Sequence, residues 1–78
     1  NYAEDKIIQV QLVAKVLSDR DIRKLKYNFE VQTKVIFILG VTSDEAELER
    51  VFNHARSIKG VQDIISYVDV ISTDNSDS

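Results

Sequence analysis

The side chains best suited to chemistry in this chain are the acids Asp44, Glu45, Glu47 and Glu49, the single histidine His54, and the serines Ser43 and Ser57. Carboxylates this dense could form an acid–base pair or hold a hard cation. They also open a segment of helical periodicity, where negative charge suits the macrodipole and solubility, and that is the simpler account. His54 has no second histidine and no cysteine to complete a metal shell, so a surface or boundary role is expected for it. Neither serine has a base converging on it. Gly40 and Gly60 stand too far apart for a P-loop, a dinucleotide fingerprint or the clamping GxxG loop of an RNA-binding module. No catalytic constellation assembles, and the chain reads as non-enzymatic, with no metal and no cofactor.

Arg20, Arg23, Lys24 and Lys26 form the one basic cluster, offset by Asp19 and Asp21. They could meet phosphates, but a solvated connection between helix and strand explains them more simply. The net charge of −3 argues against nucleic acid as a partner. With 78 residues, 44% of them hydrophobic and 29% charged, the chain has the composition of one soluble globular domain, and no apolar run reaches the roughly 20 residues a membrane-spanning helix needs. It lacks cysteine, which excludes disulfides and thiolate metal sites. Starting at Asn1 without a leader, it reads as a processed or excised fragment whose signal or anchor would lie upstream.

The elements that must position these residues follow from periodicity. Ile8, Leu12 and Val16 recur at spacing four in a helix over 5–18, with Asp5 near its start to suit the macrodipole. Tyr27, Phe29 and Val31 alternate with Asn28, Glu30 and Gln32, as in a strand with one wet face. Val35 to Leu39 is a mostly buried strand closed by Gly40, and only about two residues separate it from the first, so the pair forms an antiparallel hairpin. Thr33-Lys34 is poor turn chemistry, with no Asn-Gly or Asp-Gly to hold positive φ. A second helix starts in the Ser43-Asp44-Glu45 region, carries the stripe Leu48, Val51, Phe52, Ala55 and Ile58, and ends near Lys59 with Gly60 as its cap. A last strand runs from Val61 to Ile71. The order α-β-β-α-β makes an α+β two-layer sandwich over 1–71, a mixed three-stranded sheet with two helices packed on one face. Residues 72–78 form an acidic, serine-rich tail expected to be disordered.

One helix has more apolar surface than a single core contact needs. At about 100° per residue, Ile7, Val10 and Ala14 fall roughly opposite Ile8 and Leu12, with Val13 and Leu17 between the two sets. This second face could meet a membrane surface, a partner protein or a neighbouring domain, unless the chain's own sheet and second helix cover it.

The spacing resembles the BON domain, a small bacterial module of osmotic-shock and nodulation proteins. The matching residues are Asp5-x-x-Ile8-x-x-x-Leu12, Ile36-Phe37-Ile38-Leu39-Gly40, Thr42-Ser43-Asp44-Glu45-Ala46, and Ala55-x-x-Ile58-x-Gly60-Val61-x-x-Ile64. The chain differs at Thr33-Lys34, where the family often has an Asn-Gly-like turn. Within the family it looks most like the second BON domain of outer-membrane lipoproteins of the DolP or YraP type. That resemblance implies a periplasmic domain, peripheral to the outer membrane, that meets anionic phospholipid through its first helix and supports envelope integrity. The implied contact residues are Lys6, Ile7, Val10, Ala14, Lys15 and Leu17, the apolar ones entering the interface while the lysines approach headgroups. The alternative is a protein-interaction module that docks a sister BON domain, a second copy or an envelope partner through the same helix.

Overall fold

The computed structural model describes residues 2–22 and 26–71. Arg23 and Lys24 of the basic cluster, and the tail 72–78, lie outside the described residues. The elements are α1 (Tyr2–Leu17), β1 (Tyr27–Gln32), β2 (Val35–Thr42), α2 (Glu45–Arg56) and β3 (Asp63–Val70). β1 pairs antiparallel with β2, and β2 pairs parallel with β3, giving a mixed sheet of order β1-β2-β3. The fold is α+β in the order α-β-β-α-β, as the periodicity predicts.

Strand alternation splits the sheet into two unlike faces. The inner face carries Tyr27, Phe29 and Val31 of β1, Ile36, Ile38 and Thr42 of β2, and Ile64 and Val68 of β3. Both helices press on this face, α1 over β1 and α2 over β2 and β3. Leu12 and Val16 of α1 and Val51 and Ala55 of α2 meet Ile36 and Ile38 in a core from which water is excluded.

The hairpin turn comprises Thr33 and Lys34 alone, with φ of 53° and 63°. Positive φ at both central residues is what a two-residue hairpin of type I′ requires, and it costs a side chain with a Cβ about 1–2 kcal/mol per residue. Asp5 of α1 offsets this from a distance in sequence: its two carboxylate oxygens accept the Thr33 N–H at 2.9 Å and the Lys34 N–H at 2.8 Å. These bonds hold the Asp5 carboxyl below its ordinary range, the Lys34 N–H first among the causes. Glu4 adds an ion pair to the Lys34 ammonium at 3.4 Å. Asp5 therefore pins a turn, a role beyond the macrodipole partner predicted for it.

Neither glycine sits where punctuation predicts. Gly40 does not close β2; it lies inside the strand opposite Tyr27, with φ of +151°. A Cβ there would overlap the Lys26 carbonyl oxygen and stand 3.1 Å from both the Lys26 carbonyl carbon and Tyr27 Cα. Glycine inside a strand marks such a close backbone approach. Gly60 has the positive φ expected of it (+97°), but α2 ends at Arg56, with Ser57 in a right-handed conformation as its C-cap. Gly60 instead turns the chain toward β3.

Candidate functional site

At the start of α2 the acids divide their work. Asp44 is the N-cap: its Oδ1 accepts the N–H of Ala46 at 2.9 Å and of Glu47 at 3.3 Å. Glu49 pairs with Arg56 at 3.0 Å on the exposed side. Glu47 turns inward and is only 4% exposed, accepting the Tyr27 hydroxyl at 2.6 Å and the Thr42 hydroxyl at 3.1 Å. Burial, and then the Glu47 carboxylate, push the Tyr27 phenol up to about 12. This chain of bonds ties β1, β2 and α2 together. Sequence spacing showed only an acid in a first turn; the inward partners come from other elements.

His54 lies at the boundary and belongs to a second structural network. Its Nε2 is 2.8 Å from Asp19 Oδ2, while Arg50 donates to both oxygens of the same carboxylate at 3.1 Å. The Asp21 N–H adds a bond to Asp19 at 2.9 Å. The Arg50 guanidinium, then His54 and the Asp21 N–H, hold the Asp19 carboxyl far below the usual carboxylate range. Ser57 donates to the His54 carbonyl at 2.7 Å, which occupies it as a capping residue. Of the basic cluster, Arg20 and Lys26 line a polar depression of 480 Å³ with Asp21, Ser43, Asp44 and Glu47. Both cations share this depression with the carboxylates of Asp21, Asp44 and Glu47, a setting that disfavours a bound anion.

A surface without such partners among the described residues is the second face of α1. Ile8, Leu12 and Val16 are buried, whereas Ile7 and Val10 are each 57% exposed, Leu17 55% and Val13 37%. On a helical projection the exposed set centres about 160° from the buried set, so α1 is apolar on two opposite sides. Val10, Val13, Ala14 and Leu17 line a shallow, mostly apolar groove of 450 Å³ with Lys6 and Gln9. Lys6, Val10, Ala14 and Leu17 are thus brought together. Ile7 lies toward the other side of the stripe and shares a smaller depression with Lys34, Lys59 and Gly60. Lys15 is half-buried and projects nearer the Ile8 side, away from the centre of the exposed stripe. Sequence reasoning missed Val13 as a member of the face and Lys59 as a cation near Ile7. The first was legible from its helical angle; the second depends on how the α2–β3 connection returns past α1.

No helix among the described residues is long and apolar enough to cross a membrane. No protein-family model matches the chain. Over 66 residues it is 29% identical to an uncharacterized protein in the gshII 5′ region of Anaplasma centrale, an alignment covering 85% of this chain and 44% of that protein. The chain therefore spans less than half the length of the curated relative it matches.

Proposed function

We propose that this chain is a non-enzymatic membrane-binding module of the BON type, part of a bacterial envelope lipoprotein in the periplasm that supports outer-membrane integrity. It binds anionic phospholipid through the free face of α1, lying at the surface of the bilayer. The observation that carries this reading is the second apolar stripe of α1, with Ile7, Val10 and Leu17 all more than half exposed on the side opposite the core.

The energetics fit a weak, assisted contact. Fully burying a Val, Leu or Ile side chain contributes about 1.5–3 kcal/mol, and Ile7, Val10, Val13 and Leu17 have about half their surface left to bury, so the gross gain is about 3–6 kcal/mol. A basic residue near an anionic surface adds about 1 kcal/mol. Lys6 lies in the stripe and Lys59 beside Ile7, where both can approach headgroup phosphates. The acidic net charge opposes approach of the whole domain, so a lipid anchor or a linked domain has to raise the effective concentration at the surface. Titrating the labelled domain with anionic and with zwitterionic micelles, following amide shifts along α1, tests this directly. Shifts at Lys6, Ile7, Val10 and Ala14 that favour anionic lipid and weaken with salt support it. An unresponsive α1 in an intact fold sinks it and favours a protein partner for the same face.

A further inference from the structure

The face of the sheet turned away from the helices is apolar along its middle. β2 contributes Val35, Phe37, Leu39 and Val41, and the strand register sets Ile65 beside Phe37 and Tyr67 beside Leu39. None of these six joins the core or packs against it, and Leu39, Val41 and Tyr67 are 38%, 43% and 64% exposed. The flanking positions on the same face are polar, and every charged one among them is acidic, with the neutral Asn28 and Gln32 of β1 beside Leu39 and Val35. Glu30 of β1 stands opposite Phe37, while Asp63 and Asp69 of β3 stand beside Val35 and Val41. No lysine or arginine occupies a strand position on this face. An apolar stripe whose rim charges are all negative calls for an apolar surface that carries positive charge.

The chain holds such a surface itself. The free stripe of α1 has Lys6 among its apolar side chains. From Ile7 to Leu17 it is about 15 Å long, so it fits along the sheet stripe, which runs about 20 Å from Val35 to Val41. We propose that the open face of the sheet docks the free face of α1 from a second copy of this chain. The contact places a helical layer on the bare side of the sheet, the arrangement by which two-faced sheets usually exclude water. Two alternatives fit worse. Sheet against sheet sets the Glu30, Asp63 and Asp69 rims of two copies against each other, and helix against helix leaves the acidic sheet face bare. Helix on sheet pairs Lys6 with the acidic rim.

Such a contact is heterologous: each bound pair keeps one free helix face and one free sheet face, so association extends rather than closing at a dimer. Lipid and a second copy would compete for α1, and self-association in lipid-free solution stands independently of the membrane reading.

Sedimentation velocity over the micromolar to millimolar range, on wild type and on two variants, provides the test. Val10→Glu disables the helix face and Tyr67→Glu the sheet face; both positions are exposed, and circular dichroism confirms that the fold is kept. Val41→Glu repeats the sheet test from the neighbouring strand. Wild type is expected to form concentration-dependent species larger than a dimer, and each variant alone to stay monomeric. An equimolar mixture of Val10→Glu and Tyr67→Glu should form a one-to-one dimer that does not extend, because it restores a single intact helix-to-sheet contact. A monomeric wild type, association that survives either variant, or a mixture that stays monomeric overturns the proposal. Flotation of Tyr67→Glu with anionic vesicles reads the lipid contact separately, since its α1 is unaltered.

Discussion

Replacing Gly40 by alanine should cost far more than one methyl group would at an ordinary strand position. A φ of +151° is strained for any residue with a Cβ, at about 1–3 kcal/mol. The added carbon also overlaps the Lys26 carbonyl oxygen, and the obstacle is backbone that cannot rotate away. Overpacking of this kind costs a further 1–3 kcal/mol or so, bringing the total to about 2–6 kcal/mol. A domain of 78 residues is stable by roughly 4–12 kcal/mol, so the change removes a large part of that and could leave the chain unfolded. Gly60 is the internal control. Its φ of +97° imposes a similar backbone strain, yet nothing lies within 4 Å of an added Cβ. Urea unfolding followed by circular dichroism measures both. With a slope of about 1 kcal/mol/M for so small a domain, Gly40→Ala should lower the midpoint by at least about 2 M, and Gly60→Ala by clearly less. Equal midpoints for the two variants would refute the claim that the Lys26 carbonyl occupies the space above Gly40.

Three further perturbations probe the bonds that join distant elements. Asp5→Ala leaves the Thr33 and Lys34 N–H groups without their acceptors, so hydrogen exchange at these two amides should speed up while α2 keeps its protection; because Asp5 has a lowered pKa, its contribution is present above the ordinary aspartate range and fades as pH falls through the folded value. Tyr27→Phe removes a donor from the buried Glu47 and should cost about 1–3 kcal/mol in urea unfolding. In wild type, the phenolate absorbance that this variant lacks should emerge near pH 12; the raised pKa means Tyr27 stabilises the fold below about pH 10 and loses that contribution between about 10 and 12. Asp19→Asn weakens the junction with Arg50 and His54, and should flatten the fall in thermal midpoint that wild type shows in acid, because a depressed folded pKa contributes stability that disappears as pH drops below the ordinary aspartate range.

Periodicity within single elements was legible from the residues alone, and it set the order α-β-β-α-β. Ile8, Leu12 and Val16 are buried as their spacing requires, and so are Val51, Ala55 and Ile58. The misreadings fall where a residue's role is decided by a partner far along the chain. The hairpin turn was placed correctly at Thr33-Lys34, but what holds its positive φ, the acceptance of both N–H groups by Asp5 far back in α1, has no local signature. Gly40 looked like punctuation because a close backbone approach cannot be seen in a linear sequence. Glu47 had the signature of a solvated first-turn acid, but Tyr27 and Thr42 draw it inside. For the candidate site, helical angles placed Ile7, Val10 and Ala14 opposite the core residues, but whether the sheet and second helix covered them could not be read from the residues alone. Lys15 shows the limit of that reasoning, since a lysine on the same helix need not lie on the same stripe.

The central claim, that the free face of α1 meets an anionic membrane surface, is tested most directly by flotation with vesicles. Wild type and Val10→Glu would be compared on phosphatidylglycerol-containing and on purely zwitterionic bilayers, each domain tethered to the bilayer by the same lipid anchor to supply effective concentration. Protection of α1 from solvent, read by hydrogen exchange or by quenching of a probe at position 10 or 14, should appear with anionic vesicles, decrease with salt, and vanish in Val10→Glu. An α1 face equally exposed with and without anionic lipid, in a tethered and folded domain, would contradict the account.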